Sequence, residues 1–452
     1  MESTGRKFRL MLAYALVLML LASSFAGAVR AEAVDWITAE DISDMPETTI
    51  RYWFYESPEL TALGAKQIEE FQALYPNIKV HGSTAPDNTD NEMLMPYVTS
   101  RTNSNIHQSV NNEDLWYIDH GLLYPLSNFP DFEEVFARYD PDLNYRWKDG
   151  NVYSISWYHT PMLMYYSKEL LNSVGWDRAP ETYSEFFEIA QKIKDLGTGK
   201  WMMSPAIGEE WWQWEFAVQP FYIAATGSSQ VISEDGTKAI FDSEKGVKAI
   251  EFFETLVKND YALIENADIS PFQTGQIAAV IEGSWEIRSI KDNAPVGFEY
   301  FVGPVPIPDG QERGPYDTFS FVRNLCIIEE LGVPEGEERD RVRRASWEFL
   351  KFLISDEQMA QHFNASGDIP CTVDLLENPL FAPVLEGYGD VMKQFMELGK
   401  NGIIGDMNSI YEVEVMDKMQ QAYLKVIHGV AIAKDALAQG VVEADEVLEK
   451  GR

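Results

Sequence analysis

The sequence predicts an α/β fold in two domains, and three observations carry that reading. Segments rich in β-branched and aromatic residues alternate with stretches of helical periodicity, the order that builds sheets flanked by helices. Several of those stretches open on capping signals. The 452 residues are 45% hydrophobic and 13% aromatic, enough to bury sizeable cores and unlike a disordered chain.

The chain opens on Arg6, Lys7 and Arg9, an apolar run from Leu10 to Ala22, and small residues around Ala28, Ala31 and Ala33. Basic, apolar, then small is the order of a secretory signal, expected over residues 1–31. The apolar run is shorter than the roughly 18 residues a spanning helix needs. No Cys lies near the cleavage region, so the expectation is an exported chain, periplasmic or extracellular, without a lipid anchor. About 420 residues then remain, which suits two domains at roughly 100–200 residues each.

After a linker over 32–47, Thr48–Tyr55 reads as the first strand. Ser57-Pro58 supplies an N-cap and first-turn proline, and Leu60, Leu63, Ile68, Phe71 and Leu74 recur at helical spacing until Pro76. Asn77–Val80 is the next strand, so the opening is a βαβ unit and its sheet is parallel. Thr182 with Glu185 forms a capping box for a helix reaching Leu196 and closed by Gly197. Asp242-Ser243 starts another, with Val247, Ile250, Phe253 and Leu256 facing inward, and Gly275–Ile281 is a short apolar strand. An amphipathic stretch from Arg341 to Leu353 precedes a further capping box, Ser355 with Gln358.

Charge and motifs exclude several functions. A net charge of −36 repels phosphate backbones and anionic headgroups, which disfavours nucleic acid and membrane surfaces as partners. Such acidity reads first as solubility or salt adaptation, and secondarily as attraction of a cationic ligand. Cys326 and Cys371 are the two cysteines; they cannot make a zinc or iron–sulfur site unaided, and they form either one bridge or two buried thiols. There is no Gly-x-Ser-x-Gly elbow, no His-Glu-x-x-His and no phosphate-binding loop. The six His show no close ligand spacing, so neither a metal nor a cofactor is expected. The chain reads as a non-enzyme.

Four segments resemble, in order, the family 1 extracellular solute-binding proteins, which include the maltose-binding type. They are Leu63–Val80, Tyr165–Phe186 with its Gly, Pro and Thr-x-x-Glu-Phe, Phe272–Trp285 ending in Gly-Ser-Trp, and Ala345–Pro370 ending in Gly-x-x-Pro. Departures are Ser167 for Asn, Tyr183 for Trp and Val280 for Met. A Gly-x-x-Pro-Asp stretch is missing in Thr99–Ser109, and Phe319–Asn324 lacks a glycine-rich strand start. The resemblance implies a two-lobed, type II periplasmic-binding-protein fold, each lobe a sheet flanked by helices. Its lobes would be 48–155 plus 325–367 and 160–319 plus 372–452. Crossings would fall near 155–159, 319–325 and 367–372, with both cysteines close by. It further implies a monomer that closes on a small-molecule ligand by hinge rotation and delivers it to the permease subunits of an ABC transporter.

A sugar site needs flat aromatic platforms and a ring of donors and acceptors, because each buried hydroxyl must find a partner. The chain holds 12 Trp. Trp53 ends the first strand, and Trp116 follows the polar run Asn111, Asn112, Glu113 and Asp114. Trp157 and His159 sit at the first crossing, and Trp211, Trp212, Trp214 and Glu215 crowd one segment. If that segment is extended, Trp212 and Trp214 share a face. Trp285 stacks on ligand in the family its motif resembles. Glu56, Arg323 and, more weakly, Asn408 and Tyr411 complete the candidates, while Trp147, Trp176, Trp201 and Trp347 are expected in the core. The rival functions are a binding protein for a peptide or polyamine, and a secreted glycoside hydrolase or lyase using paired carboxylates.

Overall fold

Eleven strands among the described residues build two sheets. They are β1 (Thr48–Phe54), β2 (Ile78–Thr84), β3 (Ile106–Ser109), β4 (Ser154–Pro161), β5 (Leu163–Ser167), β6 (Trp201–Met203), β7 (Ile277–Glu282), β8 (Tyr300–Gly303), β9 (Thr318–Ile327), β10 (Ile369–Pro370) and β11 (Gly402–Ile403). The computed structural model describes residues 42–450 apart from 55–56, 86–93, 142, 265–268 and 406–407, and it does not describe the side chains of 58, 111 and 112. The expected signal segment and most of the linker therefore lie outside the described residues, as does Glu56. No described helix is long and apolar enough to cross a membrane.

The larger sheet runs β10–β4–β9–β3–β1–β2, with β11 paired to β9, and the smaller runs β6–β7–β5–β8. β1 pairs in parallel with β2, as the βαβ opening requires. β4 passes into β5 across Met162 alone, so one continuous stretch of chain serves both sheets. β4, β9 and β10 are neighbours, and they carry the three segments expected as crossings. The β4–β9 register shifts by one residue between Ser156 and Tyr158, leaving Trp157 as the extra residue of a β-bulge.

The longer helices are α1 (Pro58–Leu74), α2 (Asn111–Asp119), α3 (Tyr183–Asp195), α4 (Gln219–Thr226), α5 (Glu244–Lys258) and α6 (Trp285–Asn293). They continue with α7 (Glu337–Leu353), α8 (Asp356–Ser366), α9 (Asp390–Gly399), α10 (Glu412–Ile427) and α11 (Ala433–Lys450). Three predicted caps form: Ser57 on the Leu60 N–H, Thr182 on the Glu185 N–H and Ser243 on the Gly246 N–H. The fourth does not. The Ser355 hydroxyl donates back to the Phe352 carbonyl at 2.8 Å, and Gln358 reaches from α8 to Glu70 on α1 at 2.9 Å. Tertiary bridging displaced the local cap.

Each sheet has its own aromatic core. On the larger, Phe71 of α1 meets Phe349 of α7 at 4.8 Å, and Phe349 meets Tyr52 of β1 at 5.2 Å. On the helices flanking the smaller, Phe252 packs on Phe221 at 4.7 Å and on Phe186 at 5.0 Å. Of the four tryptophans expected in the core, Trp347 is fully buried and donates its indole N–H to Asp131 at 2.8 Å. Trp147, Trp176 and Trp201 are only half-buried; Trp176 lies under the Arg178 guanidinium, 5.0 Å from its ring centre. Cys326 and Cys371 are two buried, free thiols.

Candidate functional site

A cavity of about 480 Å³ opens between the N-terminus of α1, the C-terminal end of α8 and the first turns of α6, with β4 and β9 as its floor. Its apolar wall is aromatic. Phe216 is the hub: its ring lies 5.0 Å from Phe321 of β9, 5.9 Å from Trp285 of α6 and 5.9 Å from Trp212. Tyr158 of β4 lines the floor and stacks on His362 of α8 at 4.7 Å with 21° between planes. Rings offered by a floor strand, a helix start and a separate helical turn give flat faces in different orientations, the shape that C–H-rich polar ligands require.

The setting of Trp285 follows from the residue two before it. A Cβ on Gly283 would lie 2.4 Å from Cζ3 of Trp285 and 2.5 Å from Cγ2 of Thr160. Only a glycine lets the indole lie against the end of β7 while β4 closes from the other side. Ser284 ties the same turn to β4 through a 2.9 Å hydrogen bond with Thr160. The Gly-Ser-Trp motif is thus a seat for the ring.

The polar lining is internally compensated. Arg288 faces Asp292 at 3.3 Å along α6 and donates to the Asn364 carbonyl of α8 at 2.6 Å, spanning the cavity's edge. Asp368 accepts from Thr160 at 3.4 Å and faces His362 at 3.5 Å. Arg323 lies with its guanidinium 4.9 Å from the Phe321 ring centre. Burial raises the Glu215 carboxyl to about 8, partly offset by the charge of Arg323. His107, which also feels Arg323, is pushed down to about 3 by burial and then by that same charge. At neutral pH the Arg323 guanidinium of the floor therefore has two largely uncharged neighbours, Glu215 and His107.

Of the expected residues, Trp285 and Arg323 line this cavity, Trp212 reaches it only through its ring contact with Phe216, and Glu215 adjoins Phe321 from the helical turn. Others do not converge. Trp214 is fully buried, because residues 214–218 form a π-helical turn rather than an extended strand. In a helix Trp212 shares its face with Phe216, and Trp214 turns inward toward Tyr222. Trp53 and Trp116 pack into one hydrophobic cluster with Val98, Tyr117 and Ile328; their large apolar rings are absorbed by the core. Asn111 and Asn112 begin α2, and their side chains lie outside the described residues. Glu113 accepts the Val110 N–H at 3.1 Å as a helix cap. Asp114 is fully buried, bound by Ser109, Ser154 and Asn324, and locks β3, β4 and β9 together. Trp157 is buried against His362 at 4.3 Å. His159 points to the opposite face of β4, where it bonds Ser320 at 3.2 Å, and burial lowers its pKa to about 4. Tyr411 is the residue before α10, outside this cavity, and Asn408 donates to the Ile232 carbonyl at 3.3 Å. Phe216 and Phe321 were missed. Helical spacing from Trp212 would have found the first.

The profile of the bacterial extracellular solute-binding protein family matches residues 66–383. The chain belongs to that family. This solute-binding protein is 20% identical to the maltotriose-binding protein of Pyrococcus abyssi, over 83% of this chain and 82% of that one. In structure it is similar to the cyclic α-maltosyl-1,6-maltose binding protein of Arthrobacter globiformis, with a TM-score of 0.74 and 20% identity over 90% and 100% of the two chains. It is similar as well to UgpB of Mycobacterium tuberculosis, solved with glycerophosphocholine, at a TM-score of 0.73 and 16% identity over 89% and 99%. The fold of this solute-binding protein is the two-lobed, type II one.

Proposed function

We propose that this protein is exported without a lipid anchor, captures a carbohydrate as a monomer, and hands it to the permease of an ABC transporter without altering it chemically. The observation that carries the reading is the convergence of Phe216, Trp285, Phe321 and Tyr158 on one cavity of about 480 Å³, with Trp212 packed behind Phe216, a volume suited to a small oligosaccharide. The polar lining supports a neutral ligand over a polyamine: Arg288 pairs with Asp292, and Arg323 adds positive charge beside a Glu215 that burial keeps protonated at neutral pH. The sugar named for the Pyrococcus abyssi relative supports the same class.

In this reading the lobes are 48–155 plus 325–367 and 160–319 plus 372–452, joined through β4, β9 and β10. A ligand touching Tyr158 and α8 on one side and Trp285 on the other binds the closed state better than the open one, and that difference drives closure. The test is a melting-shift screen of maltooligosaccharides, arabinooligosaccharides, glycerol phosphates, peptides and polyamines. A specific ligand at 100 times its Kd stabilises the fold by about 2.7 kcal/mol. A saturable shift with an oligosaccharide, accompanied by a smaller radius of gyration in small-angle scattering, is expected. A shift with only a phosphate ester or an amine would overturn the carbohydrate reading.

A further inference from the structure

A second cavity, of about 610 Å³, lies on the reverse face of the same strands. Strand alternation separates the two. Tyr158 and Phe321 line the first cavity, whereas their neighbours His159 and Ser320 line the second. The turn between α9 and β11 rides on these strands at very close range. A Cβ on Gly399 would lie 2.1 Å from Pro161, and one on Gly402 would lie 2.9 Å from Ser320. The space enclosed beside that contact is a built concavity.

We propose that this rear cavity is a binding site for a neutral, hydroxyl-bearing small molecule of polyol or monosaccharide size. The volume falls in the ordinary range for small-molecule sites. Thr372 lines it and is buried, and its hydroxyl has no hydrogen-bond partner. A buried hydroxyl left unpaired costs free energy that a ligand hydroxyl would recover once rotation about χ1 turns the Thr372 hydroxyl into the cavity. His159 and Ser320, already bonded to each other at 3.2 Å, add donor and acceptor capacity without charge. Leu375 and Ile403 supply apolar contact for the ligand's carbon skeleton. Lys400, whose ammonium pairs with Glu397, leaves no unbalanced cation here to favour an anion. This site goes beyond the carbohydrate cleft and does not depend on that reading.

The experiment removes the front site first. In Trp285→Ala protein, saturation-transfer NMR with glycerol, sorbitol, myo-inositol and glucose should still detect binding by at least one of them. Leu375→Trp, added to that background, fills the rear cavity and should abolish the signal. Thr372→Val, nearly the same shape without the hydroxyl, should weaken binding at least threefold, and it decides the matter if the larger substitution unfolds the protein. No binding by any of the four probes to Trp285→Ala protein would overturn the proposal. So would binding that neither rear-cavity variant changes. Loss of oligosaccharide binding in Trp285→Ala alone speaks only to the front cavity, so the two readings fail separately.

Discussion

Replacing Gly283 by alanine should weaken ligand binding while leaving every ligand-facing side chain chemically intact. The new methyl would lie 2.4 Å from Cζ3 and 2.5 Å from Cη2 of Trp285, and 2.5 Å from Cγ2 of Thr160. Carbon atoms in ordinary contact stand about 3.5–4.0 Å apart, so the indole must withdraw by about 1 Å or β4 must shift. Overpacking of this kind typically costs about 1–3 kcal/mol of stability. Moving a platform by that distance forfeits part of its stacking, and each 1.4 kcal/mol lost is tenfold in Kd. The expected outcome is a Kd raised roughly 5- to 50-fold, bounded above by Trp285→Ala, which removes the whole platform. Titration calorimetry with the ligand identified by the melting screen, on protein shown by circular dichroism to be folded, measures it. A folded Gly283→Ala protein with wild-type affinity would refute the idea that this glycine seats the ring.

The helical turn makes a paired prediction. Trp212→Ala, at an exposed ring that supports Phe216 of the cavity wall, should weaken binding with little change in melting temperature, whereas Trp214→Ala, at a fully buried ring, should cost about 3–5 kcal/mol of stability. Glu215 predicts a pH dependence. Its folded pKa of about 8 lies above the unfolded value, so the native state holds a proton that the unfolded state has lost. Stability should therefore be full below about pH 4.5 as far as this group is concerned and fall as pH rises toward 8. Glu215→Gln should flatten that limb of a melting-temperature profile, and an unchanged slope would count against the assignment.

What was legible in the sequence was mostly local. Ser57, Thr182 and Ser243 marked helix starts because a cap is satisfied within three residues. Ser355 marked a helix start as well, but without its capping bond, Gln358 having a longer-range partner in Glu70. The motif residue and the residues picked by type sit in different places: Trp285 lines the cavity, while Trp53 and Trp116, chosen for their type and position in the chain, pack in a hydrophobic cluster. The shared face of Trp212 and Trp214 depended on an extended segment, and a π-turn winds the chain there instead. Phe321 could not have been singled out. A phenylalanine in an apolar strand carries no mark of which face it occupies until the register with β4 is known.

That register makes β4 and β9 unusually intolerant of changes in length. Tyr158 and His159, or Phe321 and Ser320, are assigned to opposite cavities by nothing more than odd and even position. The bulge at Trp157 already absorbs one extra residue: Ser156 pairs with Asn324 and Tyr158 with Arg323, so the strand keeps its faces on either side of it. Deleting that single residue would leave Tyr158 opposite Arg323 and His159 opposite Val322, with both cavities lined as before. Descendants of this chain can diversify the two cavities by substitution. An insertion or deletion of one residue that no bulge absorbs would exchange their linings wholesale.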